Sequence, residues 1–351
     1  MARILPYLGY GTPDRLHVLA RAVRGSGPRT PGPGDSAWRN ALNMMRRLRP
    51  APMRHARLRA AVGATSYELA ADDEGFIRAW LDLPTPLRAG GRIPVSLVLL
   101  DAVDDDPPEA IHQETCEAIV PHLEAELGVI SDIDDTIIQS HVTDFVRAAR
   151  TVLLGNARTR LPFPGVSAFY RALERGRKAT NPFFFVSSSP WNLHDVIAEF
   201  MTLQGIPAGP LLLRDWDLGP SLLRVSGHHG HKGAQVREIL AAYPTLPFIL
   251  IGDSGEQDPE IYRAVVHDHP ERILAVYIRD VSPAPARDAA IGALSEEVQQ
   301  AGSTLILAEH TLAAARHAAS RGWIAASALE EVEGDRQSDE GWAPGKVSTP
   351  G

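Results

Sequence analysis

Cysteine and lysine are scarce in this sequence. It contains one cysteine, Cys116, and three lysines, Lys178, Lys232 and Lys346, so that 32 of its 35 basic residues are arginines. A single cysteine excludes an internal disulfide, and we expect Cys116 to be a small buried hydrophobic residue. A lysine that persists in a chain so biased toward arginine is a candidate for a specific role.

Long hydrophobic runs are also missing. No stretch approaches the roughly 18 apolar residues of a membrane-spanning helix, and the N-terminus lacks the continuous apolar segment of a signal peptide. We therefore expect a cytoplasmic protein. The chain has 351 residues, of which 44% are hydrophobic and 22% charged, which is typical of a globular protein with about two domains.

The charge is unevenly distributed. Residues 1–60 contain 12 arginines against Asp14 and Asp35, a net charge of +10, so the other 291 residues carry −18 within a total of −8. The basic segment can bind an anionic membrane surface or a phosphorylated partner. Equally, it can be a solvated face with internal ion pairs. We expect no nucleic-acid partner.

The N-terminal part predicts a small antiparallel β domain preceded by a basic arm. Residues 15–23 are rich in apolar side chains, residues 25–34 form a Gly/Pro-rich break, and residues 37–48 have helical content after Ser36, a candidate N-cap. From residue 57 to 100 the pattern is typical of strands. The clearest strand candidates are residues 66–69, 76–83 and 93–100.

Further along the chain, short apolar segments alternate with helical ones, which predicts an α/β domain with a mainly parallel sheet. Predicted strands are residues 127–130, 183–186, 211–213, 247–251, 273–278 and 304–307. Predicted helices are residues 190–204, 232–243, 259–268 and 310–320. We therefore predict a β-rich domain with a basic arm and linker helix over residues 1–122, an α/β domain over 123–328, and a disordered acidic tail over 329–351.

Three acids follow the first strand of the predicted α/β domain. Asp132, Asp134 and Asp135 stand in the string ISDIDDT. Carboxylates held so closely repel each other and need a compensating cation, for which Mg²⁺ is the natural choice. The alternative is that the acids only cap a following helix.

Three more segments place polar residues after strands, where open α/β sheets build their sites. Ser187 begins a serine run before Pro190 and can form an anion site, although serines before a helix are often caps. Lys232 can neutralise the crowded acids, or be a surface lysine. Asp253, in the string GDSGEQD, can complete a metal site, unless Asp258 merely caps a turn and helix.

These four segments, in this order, resemble the four motifs of the haloacid dehalogenase superfamily. The longer strings ISDIDDT, VSSSPWNL, LRDW and LIGDSGEQDPEIY resemble the actin-patch-associated phosphatidate phosphatase family, over about residues 127–282. The resemblance implies a Rossmann-like haloacid dehalogenase domain with phosphatase activity.

The resemblance also implies catalytic roles. Asp132 would be the nucleophile that forms an aspartyl-phosphate, and Asp134 the general acid and then base. Thr136 would position Asp134 and the loop, while Ser187 and Lys232 would bind the transferring phosphoryl group.

A magnesium ion is expected by the same resemblance. Its ligands would be the Asp132 carboxylate, the Asp134 backbone carbonyl and Asp253, with Asp258 holding a metal-bound water or Lys232.

The substrate implied by the resemblance is a phospholipid, phosphatidate, which would be hydrolysed to diacylglycerol with peripheral contact at the membrane. The candidate substrate-binding residues are Ser188, Ser189, Trp191, Asn192 and Arg214. Trp216 and Arg279 are weaker candidates for the entrance, and residues 142–173 for a small cap that carries Arg147, Arg150, Arg158 and Arg160. Two alternatives remain, a phosphatase of a soluble phosphomonoester and a non-catalytic module that binds lipid or protein.

Overall fold

The computed structural model describes residues 2–25, 51–87, 90–101, 112–137, 163–214, 228–281 and 284–341. The helix predicted over residues 37–48 lies outside these ranges. Contacts between residues divide the chain into two compact units, Met1–Leu123 and Glu124–Gly351. None of the described helices is long and apolar enough to cross a membrane.

The first unit is built on one sheet, and its described strands pair antiparallel except for β2 with β9. The strands are β1 (Ala2–Pro6), β2 (Gly9–Thr12), β3 (Arg15–Arg24), β4 (Ala51–Pro52), β5 (Arg57–Val62), β6 (Thr65–Ala70), β7 (Phe76–Asp82), β8 (Gly91–Leu99) and β9 (Gln113–Val120). Their order is β1-β3-β2-β9-β8-β5-β6, with β4 and β7 also paired to β3.

The core of this unit follows from the two-residue period of its strands. In β3, Leu16, Val18, Ala20 and Ala22 point into one buried cluster. Cys116 joins that cluster, as expected, and burial raises the pKa of its thiol to about 12. The thiol is therefore protonated and unreactive at neutral pH.

The β region is larger than the sequence indicates. Residues 15–23, predicted only as an apolar-rich stretch, lie in β3, and β1, β2 and β9 also extend the sheet beyond residues 57–100. The basic arm is thus partly a set of strands. Several of its arginines have internal partners, since Arg21 donates to the Glu74 carbonyl at 2.9 Å and Arg57 pairs with Asp101 at 2.9 Å.

The second unit is an α/β layer structure around a parallel sheet, which confirms the predicted class. Its strands are β10 (Gly128–Asp132), β11 (Phe183–Pro190), β12 (Leu211–Arg214), β13 (Phe248–Asp253), β14 (Ile273–Arg279) and β15 (Leu305–Ala308). The spatial order is β12-β11-β10-β13-β14-β15, with every pair parallel. The central strands β10 and β13 are buried along their whole length.

Helices connect and cover these strands. They are α1 (Val166–Arg175), α2 (His194–Leu203) after a 3₁₀ turn (Trp191–Leu193), α3 (His228–Ala242), α4 (Asp258–Asp268), α5 (Pro285–Gln300), α6 (Thr311–Ser320) and α7 (Ala328–Gly341). Of the predicted cap, residues 142–162 lie outside the described residues. Residues 166–173 belong to α1, which packs on the sheet through Phe169 and Tyr277, with ring centroids 6.0 Å apart.

The prediction of a disordered tail from residue 329 is wrong over residues 329–341, which lie in α7, and residues 342–351 are outside the described residues. Val332 is fully buried, and the Asp335 and Asp339 carboxylates accept hydrogen bonds from the Ala168 and Gly165 amides at the start of α1, each at 3.0 Å. Two of the acids on which the prediction of disorder was based therefore cap α1. The free amides and the helix dipole at the N-terminus of α1 favour negative charge.

Candidate active site

The carboxyl ends of three adjacent strands meet at one edge of the parallel sheet. Strand β10 lies between β11 and β13, and Asp132 is in register with Val186. Ser187 follows Val186, and Asp253 is the last residue of β13. The sheet therefore brings Asp132, Ser187 and Asp253, all buried, to the same edge.

A tight turn follows Asp132. Asp135 has a φ of 50°, in the left-handed region that aspartate enters more readily than most residues, and the Ile137 amide bonds the Ile133 carbonyl at 3.0 Å. The turn brings Thr136 back to the strand end, where its hydroxyl lies 3.4 Å from Asp132 Oδ2. Thr136 thus contacts Asp132 at the start of the loop, and its role in positioning Asp134 stays a prediction.

Lys232 lies among three carboxylates. Its ammonium is 3.0 Å from Asp132 Oδ1, 3.0 Å from Glu256 Oε2 and 2.5 Å from Asp258 Oδ1, and the side chain is 3% exposed. Attraction by Asp132 and Asp258 raises the lysine pKa despite the opposing effect of burial. The lysine is therefore charged, and Asp258 serves as its partner.

The oxygen atoms of Asp132, Asp253 and Glu256 could hold a metal ion, since one from each residue lies within 4.8 Å of the others. Asp253 Oδ1 accepts the Gly255 and Glu256 amides, at 2.7 and 2.9 Å. Within the described part of the chain, Asp253 Oδ2 and Asp132 Oδ1 are buried and accept no aligned hydrogen bond, although Lys232 lies close to the latter.

The charge balance also fits a cation. Burial raises the pKa of Asp132, and burial followed by repulsion from Asp258 raises that of Asp253 to about 7. Carboxylates are ligands for hard divalent ions, and a bound cation would offset the cost of keeping these groups ionised. The donor set therefore suits such an ion. Glu256 is absent from the predicted site, although its position three residues after Asp253 in GDSGEQD was a signal.

Asp134 lies apart from this group, beside the serine segment. Its Oδ2 accepts from the Ser187 hydroxyl at 2.6 Å, and the Ser189 hydroxyl donates to Oδ1 and Oδ2 at 3.1 and 3.0 Å. The Ser187 hydroxyl in turn accepts the Ser189 amide at 2.9 Å. Burial raises the pKa of Asp134, and the two serines oppose that rise. A raised pKa favours the protonated form that a general acid needs.

Residues 127–280, which contain every residue of this site, match the model of the family described as phosphatidate phosphatase APP1, catalytic domain. The phosphatidate phosphatase APP1 of Saccharomyces cerevisiae is 32% identical over 167 residues, 46% of this chain and 28% of its own length.

A second relative is an uncharacterized protein of Schizosaccharomyces pombe. It is 29% identical over 218 residues, which cover 61% of this chain and 34% of the length of that protein. The chain thus spans about a third or less of these two relatives. Among solved structures, a carbohydrate acetylesterase from Xanthomonas citri aligns over 86% of this chain and 75% of its own, at 12% identity and a TM-score of 0.29, which is too low to support any argument.

The predicted substrate-binding residues fall in different environments. Ser189 bonds Asp134, and Ser188 and Asn192 are half-buried nearby in sequence. Trp191 is 5% exposed and stacks on the His194 ring at 5.8 Å, whereas Arg214 is exposed at the end of β12.

Among the weaker candidates, Arg279 is half-buried at the end of β14. It donates to the Thr311 hydroxyl at 2.7 Å and lies 4.2 Å above the Phe163 ring, which is the environment of a structural arginine. Trp216 and the arginines at 147, 150, 158 and 160 lie outside the described residues.

Proposed function

We propose that this protein is a Mg²⁺-dependent phosphatase that hydrolyses a phosphomonoester through an aspartyl-phosphate on Asp132, with phosphatidate as substrate. One observation carries the proposal. A buried carboxylate at the carboxyl edge of a parallel sheet lies 3.0 Å from the only described buried lysine, with a second carboxyl, Asp134, two residues away. Nucleophile, counter-charge and proton carrier are thus supplied by one short turn and one helix.

In the first step Asp132 attacks phosphorus, and the bond from phosphorus to the leaving oxygen breaks. The proton on Asp134 passes to that oxygen, so the product leaves as a neutral alcohol. In the second step Asp134, now ionised, takes a proton from water. The resulting hydroxide attacks phosphorus, and phosphate leaves the restored Asp132 carboxylate.

The surrounding residues hold the reacting groups in place. Ser187 and Ser189 orient the Asp134 carboxyl, and Thr136 orients Asp132. Lys232 offsets the charge on Asp132 and is placed to meet a phosphoryl oxygen. We assign Asp132, Asp253 and Glu256 as side chains that would hold Mg²⁺, together with the Asp134 carbonyl. When bound, the ion would stabilise the negative charge of the phosphoryl group.

The assignment of Mg²⁺ and of the haloacid dehalogenase superfamily rests on the order of the four motifs and on the oxygen-only donor set. Asp258, predicted as a further metal residue, acts in this proposal by orienting Lys232 and the loop amide of Asp253, which donates to Asp258 Oδ2 at 3.3 Å.

Phosphatidate is proposed as the substrate because residues 127–280 match the APP1 catalytic domain. Peripheral contact of a cytoplasmic protein with the membrane, through the basic residues of segment 1–60, is part of the same proposal. The internal partners of Arg21 and Arg57 lower the number of arginines available for such contact.

A turnover screen of the full chain tests the proposal. Phosphate release is measured from phosphatidate vesicles and from soluble sugar and nucleotide monophosphates, with and without Mg²⁺, and with Asp132→Asn as the control. We expect Mg²⁺-dependent release from the vesicles that the control lacks. Release from soluble monoesters alone would overturn the lipid substrate but keep the phosphatase, whereas Mg²⁺-independent lipid binding without any turnover would favour an interaction module.

A further inference from the structure

Arg287, in the first turn of α5, contacts the loop that carries Glu256. Its Nε donates to the Ser254 carbonyl at 2.9 Å, and its Nη2 donates to the Glu256 carbonyl at 2.8 Å. Both terminal nitrogens also bond the Glu260 carboxylate, with Nη2 at 3.1 Å from Oε2. One guanidinium therefore joins the loop to two helices.

The loop is held from two opposite sides. The Gly255 and Glu256 amides donate to Asp253 Oδ1, and the Ser254 and Glu256 carbonyls accept from Arg287. The amide contacts fix which oxygen of Asp253 remains for a cation, and the carbonyl contacts fix the backbone that carries the Glu256 carboxylate. Neither set of contacts alone determines the direction of both acids.

Arginine is the residue type that this position requires. Its planar fork offers five N–H donors, so it can serve two carbonyls and a carboxylate together, whereas a lysine ammonium has a single donor centre. The Arg287 side chain is 27% exposed and Glu260 38% exposed, so the pair alone would contribute little to stability. The contacts to the loop give this arginine its distinct role.

We infer that Arg287 is a positioning residue for the divalent-cation site, which fixes the segment from Asp253 to Glu256 so that both carboxylates face the ion. The inference rests on the cation site of the proposed function. It assigns Arg287 no contact with substrate and no part in proton transfer.

The test measures cation affinity directly. Mn²⁺, used as a spectroscopic probe for the divalent site, is titrated into the full chain without substrate, and free Mn²⁺ is followed by electron paramagnetic resonance. We expect Arg287→Gln to weaken Mn²⁺ binding by about 10-fold to 100-fold, the range seen when residues behind metal ligands are replaced. Arg287→Lys should recover only part of this loss.

The matched control is Arg263→Gln. Arg263 joins the same two helices through Glu297, at 3.6 Å, so its removal tests the loss of an arginine between α4 and α5 without touching the loop. We expect it to bind Mn²⁺ as the unchanged protein does. In turnover assays, Arg287→Gln should need more Mg²⁺ for half-maximal rate and should approach the unchanged maximal rate when Mg²⁺ is saturating.

Equal Mn²⁺ affinity in the Arg287→Gln and Arg263→Gln variants would overturn the inference, as would a loss confined to thermal stability or to the maximal rate. If the unchanged protein binds no Mn²⁺, both the inference and the proposed cation site fail. If it binds Mn²⁺ with the expected difference between variants but hydrolyses no phosphomonoester, the proposed function fails and the positioning role of Arg287 is supported.

Discussion

Lys232 makes the strongest prediction at the scale of single residues. It is buried among Asp132, Glu256 and Asp258, so Lys232→Met leaves buried carboxylates without their counter-charge. Removing one partner of a buried ion pair costs about 3–5 kcal/mol. We expect a loss of that size in the free energy of unfolding, measured by urea denaturation in metal-free buffer.

The control for this variant is Lys178→Met. Lys178 is 68% exposed and lies 3.7 Å from Glu126, so its removal should change the unfolding free energy by less than about 0.5 kcal/mol. A Lys232→Met protein as stable as this control would contradict the buried cluster.

The composition of the sequence identified Lys232 as a candidate site residue, because it is one of only three lysines and stands beside a glycine at the start of a predicted helix. The structure brings it together with Asp132, as the motif order predicts. The partner of Thr136 could not be read from the sequence, because it depends on how the turn at Asp135 is folded. Glu256 lies three residues after Asp253, which is a signal in the sequence, but its place beside Asp132 depends on the fold of the loop after Asp253. Arg287 belongs to none of the four motifs. Its loop partners lie about 30 residues earlier in the sequence, so no local pattern indicates these contacts.

At the scale of elements, the close approach of β13 to α4 depends on Gly252. A Cβ at this position would overlap the Asp258 carboxylate. Gly252→Ala should therefore displace Asp258 from Lys232, lower the unfolding free energy by about 1–3 kcal/mol and reduce phosphatase activity.

Gly292→Ala is the matched control for this variant. A Cβ at Gly292, within helix α5, would meet no atom within 4 Å. Since alanine favours the helix over glycine, this variant should be more stable by about 0.5–1 kcal/mol. Both variants are compared by urea denaturation and by phosphate release, and equal effects would refute the close approach.

Helix α7 supplies caps to α1, and this can be measured. Asp335→Ala removes the acceptor of the Ala168 amide, which lies 3.0 Å away, and should cost about 1 kcal/mol of unfolding free energy. Glu330→Ala, at an exposed position of the same helix, should change it by less than about 0.5 kcal/mol. Equal stability of the two variants in urea would show that the cap contributes nothing.

The strands of the second unit could be predicted because each is a short apolar run, buried or largely buried, that leads into polar residues. Helices α5 and α7 could not, since few of their side chains are apolar and buried: in α5 these are Ile291 and Val298. Strand β2 pairs with β9, and β3 with β7, far away in the sequence, so the local pattern of these strands does not reveal the sheet they complete.

At the scale of the whole molecule, stability should depend on pH through His17 in the first unit. This side chain is 7% exposed and stacks on Trp80 at 4.9 Å. Burial, followed by repulsion from Arg78, lowers its pKa from 6.5 to about 4. Between these values the unfolded chain binds a proton that the folded chain does not, so stability falls as pH drops from 6.5 and levels off below 4.

The expected contribution of His17 is about 3 kcal/mol between pH 6.5 and pH 4. His17→Phe should remove this part of the pH dependence when unfolding free energies are measured in urea across the range. His55→Asn changes an exposed histidine of the same unit, and this variant should keep the pH dependence of the unfolding free energy. Parallel pH profiles for the protein and the His17→Phe variant would refute the role of the buried ring.

The most direct test of the central claim is to trap the covalent intermediate. Asp134→Asn is mixed with radiolabelled phosphatidate and Mg²⁺, quenched in acid and digested. The mechanism predicts a labelled peptide that contains residue 132, releases its label to hydroxylamine, and is absent from Asp132→Asn. Phosphate release from phosphatidate that proceeds unchanged in Asp132→Asn would contradict the account.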